Sequence, residues 1–170
     1  GVAKAVNTLG DIYYLQGQHD ISLMYYDQAI EIARSTNNRL VLGSSLEEKA
    51  RVLLADGQLE ALRAVETEAL AIAEELGNPE LRIGVRLLHA LALAAYDPAN
   101  TEEALRQVEE VQAESDISAE NRAEASLTRF RISGGIDDDA RKTALEHYEA
   151  LYAETPKFVY NYYLSLLREE

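Results

Sequence analysis

The chain has 170 residues, 47% of them hydrophobic, and a formal net charge of −14. This length and apolar fraction suffice for one compact domain or one repeat array with a continuous core, which excludes a wholly disordered chain. Cysteine is absent, which excludes disulfides and thiolate metal sites. The lysines and arginines form no basic stripe, so we expect no nucleic-acid partner.

The sequence also indicates where the protein is located and which partners it has. The most apolar stretch, residues 87–96, is far shorter than the about 20 residues that span a bilayer, so we expect no membrane segment. Nothing in the sequence requires an oxidising compartment, which favours the cytoplasm. Because the chain begins with Gly1 rather than Met, we expect it to be a segment of a larger protein. The acidity fits either a solvated surface or a basic partner.

The first two predicted helices lie on either side of Gly17. Each stretch carries apolar residues at three- and four-residue spacing, which gives it one apolar face: Leu9, Ile12 and Tyr13 before the glycine, and Met24, Ala29, Ile32 and Ala33 after it. Gly17 stands where the chain must reverse, a position that favours a residue without a β-carbon. No alternating β-branched runs occur, so the sequence predicts an all-α protein.

This helix pair recurs along the chain with a period of 40 residues, since Gly57 follows Gly17 and Asn78 follows Asn38 at that distance. The third repeat carries a two-residue insertion near Pro98, a turn where an insertion costs little. The period predicts one repeat domain over residues 1–170, with four repeats and a terminal helix. Their bounds are about 3–38, 39–78, 79–117 and 118–156 for the repeats, and 157–170 for the helix.

In residues 6–13, Val6 is followed three residues later by Leu9-Gly10, and Gly10 is followed three residues later by Tyr13. The next helix has small, aromatic and small residues at matching positions: Ser22, Tyr26 and Ala29. The segment resembles the tetratricopeptide repeat (TPR) family, although Val6 replaces the usual aromatic residue. The 40-residue length is similar to a longer variant of bacterial signalling and regulatory proteins. The resemblance implies a right-handed α-solenoid of antiparallel helix pairs, whose small residues allow close helix contacts.

The resemblance also implies a concave groove lined by the first helix of each repeat. Positions that remain after the packing residues are assigned become candidates for contact with a partner: Asn7, Asp11, Tyr14, Glu48, Arg51, Leu88 and Leu91, with Glu47 in the wider set. An open groove leaves at least one of Leu87, Leu88 and Leu91 exposed, whereas a core role would bury them. The groove is acidic, unlike the basic clamp with which some family members grip a carboxylate.

Catalytic, cofactor and metal chemistry finds no support in the sequence. The three histidines, His19, His89 and His147, fall in different repeats, and no nucleophile elbow, phosphate loop or zinc-protease motif occurs. Residues 137–139 are three aspartates without the glycine and glutamate spacing of a calcium loop, so capping of the following helix is favoured. We therefore expect no enzyme, no cofactor and no metal.

The sequence leaves three functions open. The first is a scaffold that binds a protein or peptide in the groove. The second is a small-molecule or signal-peptide sensor that switches an attached output domain, which requires different affinities for two shapes of the array. The third is a structural spacer or a self-association surface.

Overall fold

The protein is described here by a computed structural model of residues 1–168, which contain α-helices, one 3₁₀ helix and no strand. The elements are α1 (Val2–Leu15), α2 (His19–Ser35), α3 (Arg39–Ala55), α4 (Leu59–Leu76), α5 (Pro79–Tyr96), a 3₁₀ helix (Pro98–Asn100), α6 (Thr101–Gln112), α7 (Ala119–Ile132), α8 (Asp138–Glu154) and α9 (Phe158–Arg168). Four helix pairs followed by a last helix confirm the all-α, solenoid-type prediction. None of these helices is both long and apolar enough to cross a membrane.

Short turns join the helices α1 to α5, and each turn has one residue in the left-handed backbone region. Gly17 (φ 72°), Gly57 (φ 67°) and Gly77 (φ 59°) take this role, and Asn37 (φ 52°) takes it in the second turn. Glycine adopts this region without steric cost and asparagine tolerates it. The chain can therefore reverse within three residues and lay consecutive helices side by side.

Two asparagines at the same register begin the first helices of successive pairs. The Asn38 side chain accepts a hydrogen bond from the Val41 N–H (3.2 Å), and Asn78 accepts one from the Leu81 N–H (3.0 Å). Such N-caps satisfy backbone donors that the helix itself leaves unpaired. The 40-residue period thus repeats a local hydrogen-bonding role as well as a residue type.

The chain divides into two compact units, Gly1–Leu88 and the residues from His89 on. The core of the first unit is built from the facing sides of α2, α3, α4 and the start of α5, with the buried residues Ile30, Ala33, Leu42, Leu46, Ala69, Ile72, Ala73, Leu81 and Val85. Alanines next to branched side chains let the helices approach closely while the larger residues fill the remaining space.

The second unit has its own core on α7, α8 and α9. Its buried residues are Ala123, Leu127, Ala144, Tyr148, Leu151, Tyr160, Leu164 and Leu167. The Tyr148 ring lies between two rings of α9, with centroids 6.3 Å from Tyr160 and 5.1 Å from Tyr163. Aromatic packing of this kind adds to the area that α9 buries on α8.

Candidate functional site

The candidate site lies in the first unit, where the first helices α1 and α3 contact each other. Asn7 and Asp11 stand on α1, and Glu47, Glu48 and Arg51 stand on α3. All five side chains are half-buried. We call these five residues the α1–α3 surface.

The position of Asp11 follows from a close approach of α1 and α2 beside it. A β-carbon added to Gly10 would lie 2.5 Å from Cε1 of Tyr26, so the ring occupies the space that a side chain would need. The Ser22 hydroxyl donates a hydrogen bond to the Gly10 carbonyl (2.9 Å). Gly10 and Ser22 therefore bring the two helices close enough for the buried Tyr26 to reach across α1.

The Tyr26 hydroxyl donates a hydrogen bond of 2.8 Å to Oδ1 of Asp11. Burial raises the pKa of the Asp11 carboxyl, and this hydrogen bond offsets only part of the rise. Burial, followed by the charges of Glu48 and Asp11, raises the pKa of the Tyr26 phenol. The phenol therefore remains protonated at neutral pH and continues to act as the donor.

On α3, Arg51 forms ion pairs with two carboxylates. Its Nη2 donates to Oε1 of Glu47 at 2.6 Å, and its Nε lies 3.8 Å from Oε2 of Glu48. Gly84 of α5 makes room for this arrangement, because a β-carbon there would lie 3.0 Å from the Glu47 carboxyl carbon. The first helices α3 and α5 thus meet at Glu47, and the α1–α3 surface has three carboxylates and one guanidinium.

Asn7 and Asp11 are one helical turn apart. The Asn7 Nδ2 donates to Oδ1 of Asp11 at 3.5 Å, whereas the buried Oδ1 of Asn7 has no hydrogen-bond donor. A buried carbonyl oxygen without a donor is unfavourable, and it would accept an N–H group brought by a ligand.

Tyr14 contacts the first residue of α2. Its ring stacks on His19, with centroids 5.4 Å apart, and Nδ1 of His19 lies 2.5 Å from Oδ1 of Asp56. This contact links the turn of the first helix pair to that of the second. Tyr14 is half-buried and lies three residues after Asp11, on the same face of α1.

The prediction that Leu88 faces an open groove is wrong. Ile83, Val85, Leu87 and Leu88 are all 2% exposed or less. These four residues point in different directions around the helix, so the middle of α5 is buried on more than half of its circumference, while Arg82, Arg86 and His89 on the remaining side are half-buried. Leu88 is therefore a core residue that no partner can reach, while Leu91 is half-buried and belongs to the second unit.

The histidines and aspartates outside this surface have structural surroundings. Asp137 caps α8 by accepting from the Ala140 N–H (2.9 Å), as expected. His147 is half-buried, and it lies 3.3 Å from the Ser126 hydroxyl, which donates to the Arg122 carbonyl. Burial lowers the pKa of His147. Among residues 1–168, no three acidic or histidine side chains are grouped closely enough to bind a metal ion.

Two contributors to the site were missed at the sequence level. The sequence pattern places Tyr26 at an aromatic position of the repeat and does not indicate that its hydroxyl donates to the Asp11 carboxylate. Gly84, whose missing side chain leaves space for the Glu47 carboxylate, does not belong to the repeat pattern. Its one sequence signal is a glycine inside an otherwise strong helix pattern, which indicates a close approach of some other group.

The fold and the first unit together define a helical-repeat protein built from antiparallel helix pairs. A family model for the tetratricopeptide repeat matches residues 1–75. The match covers the first two helix pairs.

Solved structures agree with the fold over a longer stretch. A kinesin light chain-like protein from Podosopora anserina, which has nearly identical TPR-like repeats, aligns with a TM-score of 0.57 at 21% identity. The alignment covers 91% of this chain and 77% of that one, and a substituted form of the same protein gives a TM-score of 0.56 with 91% and 76%. At this identity the likeness shows the fold alone. No curated protein sequence matches the chain.

Proposed function

We propose that this protein is a non-catalytic binding module that holds a segment of another protein on the α1–α3 surface. Repeats of this type generally serve protein–protein interaction, and the family match covers both helices that carry the surface. The first helices of stacked pairs supply extended binding surfaces in such proteins.

The observation that carries the proposal is the set of half-buried polar groups around Asp11. Both described hydrogen bonds to this carboxylate end on Oδ1, which leaves Oδ2 able to accept from a ligand. The Asn7 carbonyl oxygen, without a donor, lies on the same side of α1. These groups are already partly removed from water, so a ligand that pairs with them loses less hydration than it would at an exposed site.

The charge of the surface indicates the chemistry of the partner. The α1–α3 surface carries three carboxylates and one guanidinium, and Asp11 is the carboxylate on α1. The Asp11 carboxylate favours a segment that carries lysine or arginine, which can donate to its Oδ2 while backbone N–H groups approach Asn7. Hydrogen bonds to charged groups contribute about 1.5–3 kcal/mol each.

A random-peptide display selection against the full chain tests the proposal. We expect enrichment of peptides with basic residues, whose affinity falls by about tenfold or more in Asp11→Asn with Glu48→Gln. The same peptides should bind more weakly at high salt. Glu60→Gln with Glu74→Gln on α4 is the matched control, since it also removes two carboxylates of the first unit, at exposed positions outside the α1–α3 surface. Equal losses in both variants, or peptides that ignore both, would contradict the proposal.

A further inference from the structure

Asn7 and Asp11 form a hydrogen-bonded pair in which each residue keeps an unused acceptor. Asp11 receives the Tyr26 hydroxyl (2.8 Å) and the Asn7 Nδ2 (3.5 Å) on the same oxygen, Oδ1, so Oδ2 can accept a further hydrogen bond. The Asn7 Oδ1 is buried and has no donor. A buried acceptor without a donor is unfavourable, so the pair lacks one donor. A proton bound to Asp11 would supply it, because a protonated carboxyl carries an O–H.

Burial, rather than an ion pair, governs the charge of Asp11. The titratable and charged groups around it are Tyr26 of α2, Glu47, Glu48 and Arg51 of α3, and Lys4 and Tyr14 of α1. The described ion pairs of Arg51 go to Glu47 and Glu48. Lys4 is exposed, about two turns before Asp11. Burial raises the pKa of the Asp11 carboxyl, so it takes up a proton at a higher pH than an exposed aspartate does.

The Asn7 amide can turn to meet this proton. Its N–H reaches Asp11 across 3.5 Å, longer than the about 2.7–3.2 Å of most N–H···O hydrogen bonds, so little is lost when this contact breaks. The last torsion of an asparagine side chain is broad and roughly two-fold. A half-turn therefore exchanges the amide nitrogen and oxygen and brings the carbonyl oxygen to the side of Asp11. The Tyr26 hydroxyl keeps its hydrogen bond to Oδ1, and the Asp11 O–H donates to Asn7.

We propose that a single proton on Asp11 switches the α1–α3 surface between an open and a closed state. In the open state the charged Asp11 and the Asn7 carbonyl oxygen accept from a basic segment. In the closed state the two residues satisfy each other, and the charge that attracts the segment is gone. The identity of the ligand rests on the proposed function, whereas the closure is a property of the chain alone. A basic segment that binds the closed state must release the proton to solvent.

NMR spectroscopy of the free chain tests the closure without any ligand. We expect the side-chain amide resonances of Asn7 to shift with pH at the same midpoint as the Asp11 carboxyl carbon. This response should disappear in Asp11→Asn. An Asn7 amide that does not respond at this midpoint would overturn the proposal.

Asn7→Leu distinguishes the closure from a simple donor role, because leucine has nearly the same size and neither donates nor accepts. If Asn7 accepts from the protonated carboxyl, its removal disfavours that form, and the pKa of Asp11 should fall. If Asn7 serves only as a donor to the carboxylate, the pKa should rise. A rise, or no change, would therefore contradict the switch.

The dependence of binding on pH tests the open state. The probe is a basic peptide from the display selection that contains no aspartate, glutamate or histidine, so that the peptide itself does not titrate between about pH 4 and about pH 8. We expect its affinity to fall by up to about tenfold for each pH unit below the pKa of Asp11, as release of one proton requires. Asp11→Asn should remove this dependence, and Glu60→Gln with Glu74→Gln should keep it.

The two proposals fail in different ways. A peptide that loses affinity in Asp11→Asn but binds the natural chain equally over this pH range would overturn the switch and leave the proposed function intact. A selection that yields no basic peptide would contradict the proposed function, while the NMR titration of the free chain would still decide whether Asp11 and Asn7 close on each other.

Discussion

Gly10 shows how one missing side chain sets the geometry of the candidate site. We predict that Gly10→Ala destabilises the protein, because the added β-carbon would lie 2.5 Å from the rigid, buried Tyr26 ring. Overpacking of this kind costs about 1–3 kcal/mol, and alanine recovers about 1 kcal/mol through its helix propensity. The urea midpoint should therefore fall while the m-value stays constant.

A double variant separates the clash with the Tyr26 ring from the gain in helix propensity. In a Tyr26→Leu background the clash is removed, so adding Gly10→Ala should be neutral or stabilising. Because residues 10 and 26 are in contact, the changes in the free energy of unfolding should not be additive. Additive losses would show that Gly10 is required for a reason other than the Tyr26 ring.

The ionisation of Asp11 provides a second prediction at the scale of single residues. Burial raises its pKa, and the hydrogen bond from Tyr26 lowers it. In Tyr26→Phe we therefore expect the carboxyl pKa, followed by carbon NMR through the pH titration, to rise further. A fall on removing the hydroxyl would show that Tyr26 does not donate to this carboxylate.

The raised pKa of Asp11 also makes the stability of the protein depend on pH. A carboxyl whose folded-state pKa is raised stabilises the fold most when it is protonated, and this contribution is lost as the pH rises through the folded-state pKa. As the pH rises from the unfolded-state pKa of Asp11 through its folded-state pKa, the free energy of unfolding should therefore fall less in Asp11→Asn than in the natural chain.

At the scale of the helices, the middle of α5 stands out for the burial of its apolar side chains. We predict that Leu88→Ala lowers the free energy of unfolding by about 2–5 kcal/mol, as expected for a fully buried leucine. The matched change Ile136→Ala, at a residue that is 84% exposed, should stay within about 0.5 kcal/mol. Similar midpoints for both in urea denaturation would mean that Leu88 is accessible after all.

For the whole molecule, net charge decides the response to salt. Many ion pairs, including Arg34–Glu68 and Arg168–Glu149, are exposed and contribute at most about 1 kcal/mol each. Repulsion within a chain of net charge −14 acts over the entire surface. Raising sodium chloride from about 20 to about 500 mM should therefore increase the Tm by a few degrees. A Tm that decreases steadily would show that the ion pairs outweigh the repulsion.

The sequence by itself determined the helix pairs, the turns and the caps. These depend on local properties: apolar spacing, glycine or asparagine where φ is positive, and a polar side chain at a helix start. Asp11 and Arg51 were also placed on the correct first helices, because the period fixes the register of each repeat.

The tertiary structure decided what covers each helix face. Periodicity shows in which direction Leu88 points, but its burial depends on neighbours that are distant in the chain. For the same reason the sequence could not foresee that Tyr26 holds Asp11, or that Gly84 admits Glu47. Local spacing specifies a face, whereas the access of a partner to that face is set by packing between helices.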